Sequence, residues 1–432
     1  MALRVLFRIA ALRRKPIRVI ALVSLTAVVM AFVLPAEPLW GFFGHRRINR
    51  LATFTLPPEM IRFYKTHLDY ITEHAVDPDK RRYATKHEAP RHYIDLDQWG
   101  TYPFDDLPRT WNEVLMQHTE IGIVMANGDT LKVRTDTLMI DDFPLPQLRL
   151  YQKKKVVLEP ADDLAFRNFF KTKVLPQYYE DEWILPCDTL LALFGATDKD
   201  IRTCVKAYAV DRFSEHGILP YHLLKMQYQL KAAFESGDVD RILRTSAEMG
   251  HYIGDAYVPL HTTKNYNGQL SNQTGIHAFW ESRLPELFAD DTYDFFVGKA
   301  EYIERPADYY WKIVMDSHLL VDSVLGVERE LSKIFPPDRQ YCFEERNGIT
   351  IRTQCREYSE AYHQRMSGMV ESRMRGAILS IGSAWYTAWI DAGQPDLSKL
   401  LDKDRSEEEV KESESLDSQF QKGDSKGRQH DG

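Results

Sequence analysis

The chain has 432 residues, a formal net charge of -8, 44% hydrophobic residues and 27% charged residues. This is enough for a large core and one to three domains, and too apolar for a wholly disordered chain. The acidic balance excludes a generic electrostatic trap for nucleic acid, but not a nuclease, because bound dications supply local positive charge.

In chain order, Arg4, Arg8, Arg13, Arg14, Lys15 and Arg18 form a basic leader, followed by an uncharged apolar run from Val19 to Leu34. The run is short for a membrane span of about 20 residues and suits the apolar part of a secretory signal. Residues 1–39 therefore read as a signal peptide or N-terminal anchor of an exported protein, periplasmic or secreted. The stretch "PEMIRFYKTHLDYITEHAV" (58–76) places Met60, Phe63, Tyr64, His67 and Ile71 on one helical face. Residues 120–140 alternate instead, around Asn127-Gly128, and predict a β-hairpin. Helices are predicted again over 219–238, 238–258, 305–335 and 357–390. The first has a proline near its start and a glycine near its end. Trp385 and Trp389, in "SAWYTAW", read as core of the last helix. Residues 401–432 carry almost no apolar side chains and read as a disordered charged tail.

Export permits disulfides. The four cysteines allow three pairings, and spacing favours Cys187 with Cys204 and Cys342 with Cys355. None forms a C-x-x-C pair, which argues against a thiolate zinc site or a thioredoxin-like motif.

The chemistry is concentrated in the histidines. "HYIGDAYVPLH" holds His251 and Asp255 four apart, so a helix carries both on one face, with His261 beyond the helix end. "HAFWE" holds His277 and Glu281 at the same spacing. "DPDKRRYATKHEAPRHYIDLD" holds Asp77, His92, Asp95 and Asp97. Imidazole and carboxylate at helical spacing suit zinc, with coordination positions left for water or substrate. His216 and His222, beside a helix start, read as structural.

With these motifs in order, preceded by "WGFFGH" (40–45), the chain resembles the superfamily of zinc-dependent phospholipases C and single-strand-specific zinc nucleases. The resemblance covers the body from Trp40 to about residue 395. It implies a mainly α fold: one helical domain over 40–400, with a small β-hairpin insertion near 120–140. It implies three zinc ions. One would be held by Asp77, His92, His251 and Asp255, and a second by His261, His277 and Glu281. The third would be held by Trp40, His45 and Asp255, with Trp40 serving through a free α-amine and its carbonyl. Such an amine has a pKa of about 8, so zinc displaces a weakly held proton.

The resemblance further implies an exported endonuclease that cleaves single-stranded DNA or RNA with zinc-activated water. Asp77 would orient or deprotonate that water, and Lys80 would bind phosphate. Tyr93 would stack on a base that Asp95 hydrogen-bonds. Glu281, where the nucleases carry Asp, favours the alternative of a phospholipase C acting on lipid headgroups. A non-catalytic zinc-binding protein is a third reading. The partner expected is a single-stranded nucleic acid or nucleotide substrate, alternatively a phospholipid, with no obligate protein partner evident.

Overall fold

The computed structural model describes residues 42–140, 143–158, 161–177, 183–346, 349–401, 406–423, 425–426 and 428. The leader over 1–39 and the expected ligand Trp40 lie outside them. The helices that build the core and the candidate site are α1 (Phe42–Ala52), α2 (Pro58–Thr66), α3 (Asp77–Arg81), α4 (Leu219–Ser236), α5 (Val239–Ala256), α6 (Pro306–His318), α7 (Val321–Ile334), α8 (Met369–Asp391) and α9 (Glu407–Gln421). Shorter helical turns join them, and the described chain is mostly helical.

Local signals place α4 and α5. Pro220 lies in the first turn of α4, where its missing N–H costs nothing, and Gly237 ends the helix at φ +62°. Asp238 then caps α5 by accepting the Arg241 N–H. The C-terminal half of α5, Met249 to Ala256, is buried all round, between α1, α4 and α8. Trp385 of α8 is fully buried, stacks on Tyr64 of α2 at 4.8 Å and donates its indole N–H to the Ser246 carbonyl. It is core, as the sequence predicts.

Three sequence expectations change. The hairpin near 120–140 is part of a larger antiparallel sheet. Its strands are β1 (Thr119–Met125), β2 (Thr130–Ile140), β3 (Phe143–Gln152), β4 (Lys155–Val156), β5 (Trp183–Leu185) and β6 (Cys204–Asp211), in the order β4-β3-β2-β1-β6-β5. The Asn127-Gly128 turn joins β1 to β2 with Gly128 at φ +84°. Pro144 and Pro146 hide β3 from a propensity reading, yet they lie where the two-residue β4 does not extend.

The two long late helices are each divided. Leu319 and Leu320 separate α6 from α7, and Ser367 and Gly368, both at positive φ, separate Arg356–Arg365 from α8. Between α7 and the Arg356–Arg365 helix a second hairpin forms, β7 (Tyr341–Arg346) with β8 (Ile349–Gln354).

The charged tail is not wholly disordered: it contains α9, capped by Ser406. One apolar anchor and several charge pairs hold α9 in place of a broad apolar face. Phe420 sits against Phe42, Val76 and Tyr83. Glu409 accepts from the Tyr70 hydroxyl at 2.8 Å and pairs with Arg244.

The disulfides are Cys187–Cys204 and Cys342–Cys355, which fits folding in an oxidising compartment. Among the described residues no helix is long and apolar enough to cross a membrane.

Candidate metal centre

Helix α5 supplies the middle of the site because its last two turns are enclosed and carry His251 and Asp255 one turn apart. Both are buried, at 0% and 1% exposure. Helix α1 lies close enough to bring His45 alongside. A β-carbon at Gly254 would meet the His45 ring nitrogen at 2.9 Å, and one at Gly250 would meet the Asn49 amide oxygen at 2.0 Å. Glycine at these two positions is what allows the approach. The His45 and His251 rings consequently stack at 3.9 Å.

Three groups of ligand atoms result, each with its atoms within 4.8 Å of one another: His45, His251 and Asp255; Asp79, His92 and His251; and His261, His277 and Glu281. They are linked. Asp255 lies 3.4 Å from His45 Nε2, 3.0 Å from His92 Nδ1, 3.4 Å from His251 Nε2 and 3.8 Å from His261 Nε2. Glu281 lies 2.7 Å from His277 Nε2, 3.4 Å from His261 Nε2 and 3.5 Å from His45 Nε2.

Two atoms bound at about 2.0–2.1 Å to one tetrahedral ion lie roughly 3.3–3.5 Å apart. Most of these separations fall near that value and are longer than a hydrogen bond. The donor set therefore fits cations, and three buried groups fit three of them.

The ring nitrogens facing away from each group are held. His251 Nδ1 donates to the Ala75 carbonyl at 2.8 Å and His277 Nδ1 to the Tyr266 carbonyl at 3.1 Å, so Nε2 points inward in both. His92 is turned the other way. Nδ1 faces Asp255, and Nε2 lies 3.7 Å from Glu88. Glu88 is fully buried, accepts from the Tyr252 hydroxyl and pairs with Arg81 and Arg91. Such outer partners fix ring orientation and tautomer.

The electrostatics favour ligation. Burial, then the neighbouring His45 and His92, hold His251 well below the ordinary histidine range, which leaves the neutral ring that binds metals. Burial also lowers His261, against Asp255 and Glu281. For Glu281, burial opposes ionisation, but the neighbouring His261, His277 and His45 outweigh it and hold the carboxyl well below the usual range. Burial likewise opposes charge on His45, yet Glu281 and Asp255 raise it to about 9. A proton there takes the part of a cation among these carboxylates.

The sequence-predicted residues His45, His92, His251, Asp255, His261, His277 and Glu281 are thus brought together. Asp77 is not among these groups. The carboxylate beside His92 and His251 is Asp79, at 3.7 Å from each. Positions two apart on a helix face nearly opposite ways. Asp77 accordingly faces His74, at 2.6 Å, and Lys80, at 3.2 Å. The "DPD" motif holds both carboxylates, and spacing alone does not choose between them.

Lys80 also contacts Asp417 of α9 at 2.8 Å. Tyr93 follows His92 directly and Asp95 lies three residues on; both are buried, with the Tyr93 hydroxyl donating to the Glu215 carbonyl. His216 lies 3.9 Å from Asp95, and the buried His222 packs edge-on to Tyr252; neither belongs to a ligand group. Sequence reasoning missed Glu88, Tyr266 and Arg428, which have no motif of their own and matter only through what the fold sets beside them.

No protein-family model matches the chain, and neither a curated protein nor a solved structure matches it.

Proposed function

We propose that this chain is a zinc-dependent hydrolase of phosphoester bonds, acting as an exported endonuclease on single-stranded DNA or RNA. The observation that carries the reading is the closeness in the chain of three linked ligand groups to Tyr93 and Asp95, an aromatic ring and a carboxylate within three residues after His92. Zinc bound by these groups would polarise a phosphoryl oxygen and lower the pKa of a bound water to about 7. The chain's own side chains would do the rest. The Tyr93 ring offers a stacking platform that any base fits, and single strands have faces free to use it. The Asp95 carboxylate accepts hydrogen bonds from a base edge. Lys80 supplies positive charge for a phosphate. Glu88 and the Ala75 and Tyr266 carbonyls keep the imidazoles oriented, so that ligand geometry does not relax when substrate binds.

The test is cleavage of single-stranded DNA, RNA and phosphatidylcholine by the purified protein, with and without chelator. Oligonucleotide cleavage that chelator abolishes and zinc restores supports the proposal. Turnover of phosphatidylcholine alone would favour the phospholipase reading, to which Glu281 is suited. Cleavage insensitive to chelator, or none with zinc bound, overturns the enzyme reading.

A further inference from the structure

The C-terminal segment reaches back to the three residues assigned above to substrate. At its first contact, the Asp417 carboxylate of α9 pairs with Lys80 at 2.8 Å. Phe420 then anchors the end of the helix against Phe42 and Tyr83. Beyond it, Lys426 donates its backbone N–H to the Arg82 carbonyl at 2.8 Å and its ammonium to the Ala84 carbonyl at 2.9 Å. Arg82 in turn donates to the Arg428 carbonyl.

The Arg428 guanidinium lies between two rings, 4.0 Å from the centroid of Tyr93 and 3.7 Å from that of Tyr266. It donates to Asp95 at 2.8 Å and to the Thr263 carbonyl at 3.3 Å. Every wall of this clamp adjoins the metal centre. Tyr93 follows His92, Thr263 lies just beyond His261, and the Tyr266 carbonyl accepts the His277 Nδ1–H.

The chemistry of the two contacts matches a nucleotide in outline. A carboxylate on Lys80 stands where a phosphate anion would. A guanidinium is flat and delocalised, stacks on aromatic faces and presents N–H donors in one plane, as the amino edge of a base does. The rest of the interface is built to separate. It is largely polar, and a cavity of about 270 Å³ lies between α9 and the body, lined by Asp77, Arg81, Glu248, Glu409 and Glu412 among others. Polar interfaces of this kind between parts of one chain allow relative motion.

We propose that Tyr93, Asp95 and Tyr266 form a clamp for a planar cation whose resident ligand is Arg428, and that the C-terminal arm thereby competes with substrate and holds the protein in a self-inhibited state. The inhibitory part rests on the reading of Lys80, Tyr93 and Asp95 as substrate residues. The arm leaves the ligand groups intact, so it raises KM and spares kcat. An internal competitor docked about ten times as often as it is free raises KM on the order of tenfold.

The test compares the full chain with its Arg428→Ala variant. Trypsin cleavage after Lys422 and Lys426, followed by mass spectrometry, reports docking without any need for activity. KM for a single-stranded oligonucleotide reports competition. A labelled synthetic peptide of residues 417–432, added to the variant, reports binding in trans by fluorescence anisotropy. Three results are expected. The variant is cut several-fold faster, its KM is several-fold lower at similar kcat, and the peptide binds it and restores the higher KM. The same peptide carrying Arg428→Ala does not bind.

Equal cutting of the two proteins, or failure of the peptide to bind, overturns the clamp. Faster cutting and peptide binding with unchanged KM overturn the inhibitory role. If no phosphoester is hydrolysed by either protein, the functional reading fails and the inhibitory role with it, while cutting and peptide binding still decide the clamp.

Discussion

Asp255 is the most widely shared carboxylate of the centre, within 4 Å of His45, His92, His251 and His261. Its partner one turn earlier, His251, borders two of the three ligand groups, but its Nδ1 donates to the Ala75 carbonyl, so its single inward Nε2 ligates one ion, as that of His277 does. This gives a stoichiometric prediction. Protein loaded with zinc and then desalted should lose about one equivalent in His251→Ala and about one in His277→Ala, measured by elemental mass spectrometry. Both variants should lose activity. Full retention of metal in either would contradict the grouping.

Most of these residues were legible in the sequence, because His251 with Asp255 and His277 with Glu281 need only helical spacing to meet. The choice of Asp79 over Asp77 was not legible. It depends on which way a single turn faces, and Pro78 stands between two equivalent carboxylates. Arg428 was less legible still. A lone arginine in a polar tail acquires meaning only from rings more than 160 positions away in the chain.

Between residue and fold lies the contact of α1 with α5. The helix of α5 is visible as periodicity, whereas α1 is not among the helices the sequence predicts, and the closeness of the two is not visible either. It rests on Gly250 and Gly254, where an added β-carbon would collide with Asn49, Ile48 and His45. Gly254→Ala should therefore push His45 away from His251 and weaken metal binding at that group, while the two other groups keep theirs. Titration of the apo protein should show one weakened site of three, by at least tenfold. Uniform weakening would point to general unfolding instead.

A second element-scale device is the buried Glu88 knot. Burial opposes its ionisation, but His92, Arg81 and Arg91 outweigh burial and keep the carboxyl ionised. Removing one partner from a buried charged cluster typically costs about 3–5 kcal/mol. Glu88→Ala should lose about that much in urea unfolding, and His92 should lose its orienting partner. Glu88→Gln, which retains a hydrogen-bond acceptor for Tyr252, should recover part of the stability. The charged tail shows the opposite limit of sequence reading. Composition alone predicted disorder, and α9 forms because Phe420, Glu409 and Asp417 each find a partner supplied by the body.

At the scale of the whole molecule, the ligands come from two stretches, His45 to His92 and His251 to Glu281, and the sheet over Thr119–Asp211 supplies none of them. The disulfides lie elsewhere: Cys187–Cys204 closes the edge of the sheet, and Cys342–Cys355 closes the second hairpin. Metal and the Cys187–Cys204 disulfide should therefore stabilise separate parts of the chain. An ion present at about a thousand times its Kd stabilises the folded state by about 4 kcal/mol. In a body of this size that amounts to a shift in Tm of about 5 °C per ion. Chelation should lower Tm by about this much, because it removes cross-links between α1, α3, α5 and the turns carrying His261 and His277. Replacing Cys187 and Cys204 by serine should leave the zinc content unchanged, since the sheet supplies no ligand; the Cys342–Cys355 hairpin differs, because its Glu344 and Gln354 hold Arg283 of the turn that carries Glu281. Calorimetry with elemental analysis on the same samples separates the two effects. Zinc lost from that variant would mean that the sheet and the metal centre unfold as one unit, despite sharing no ligand.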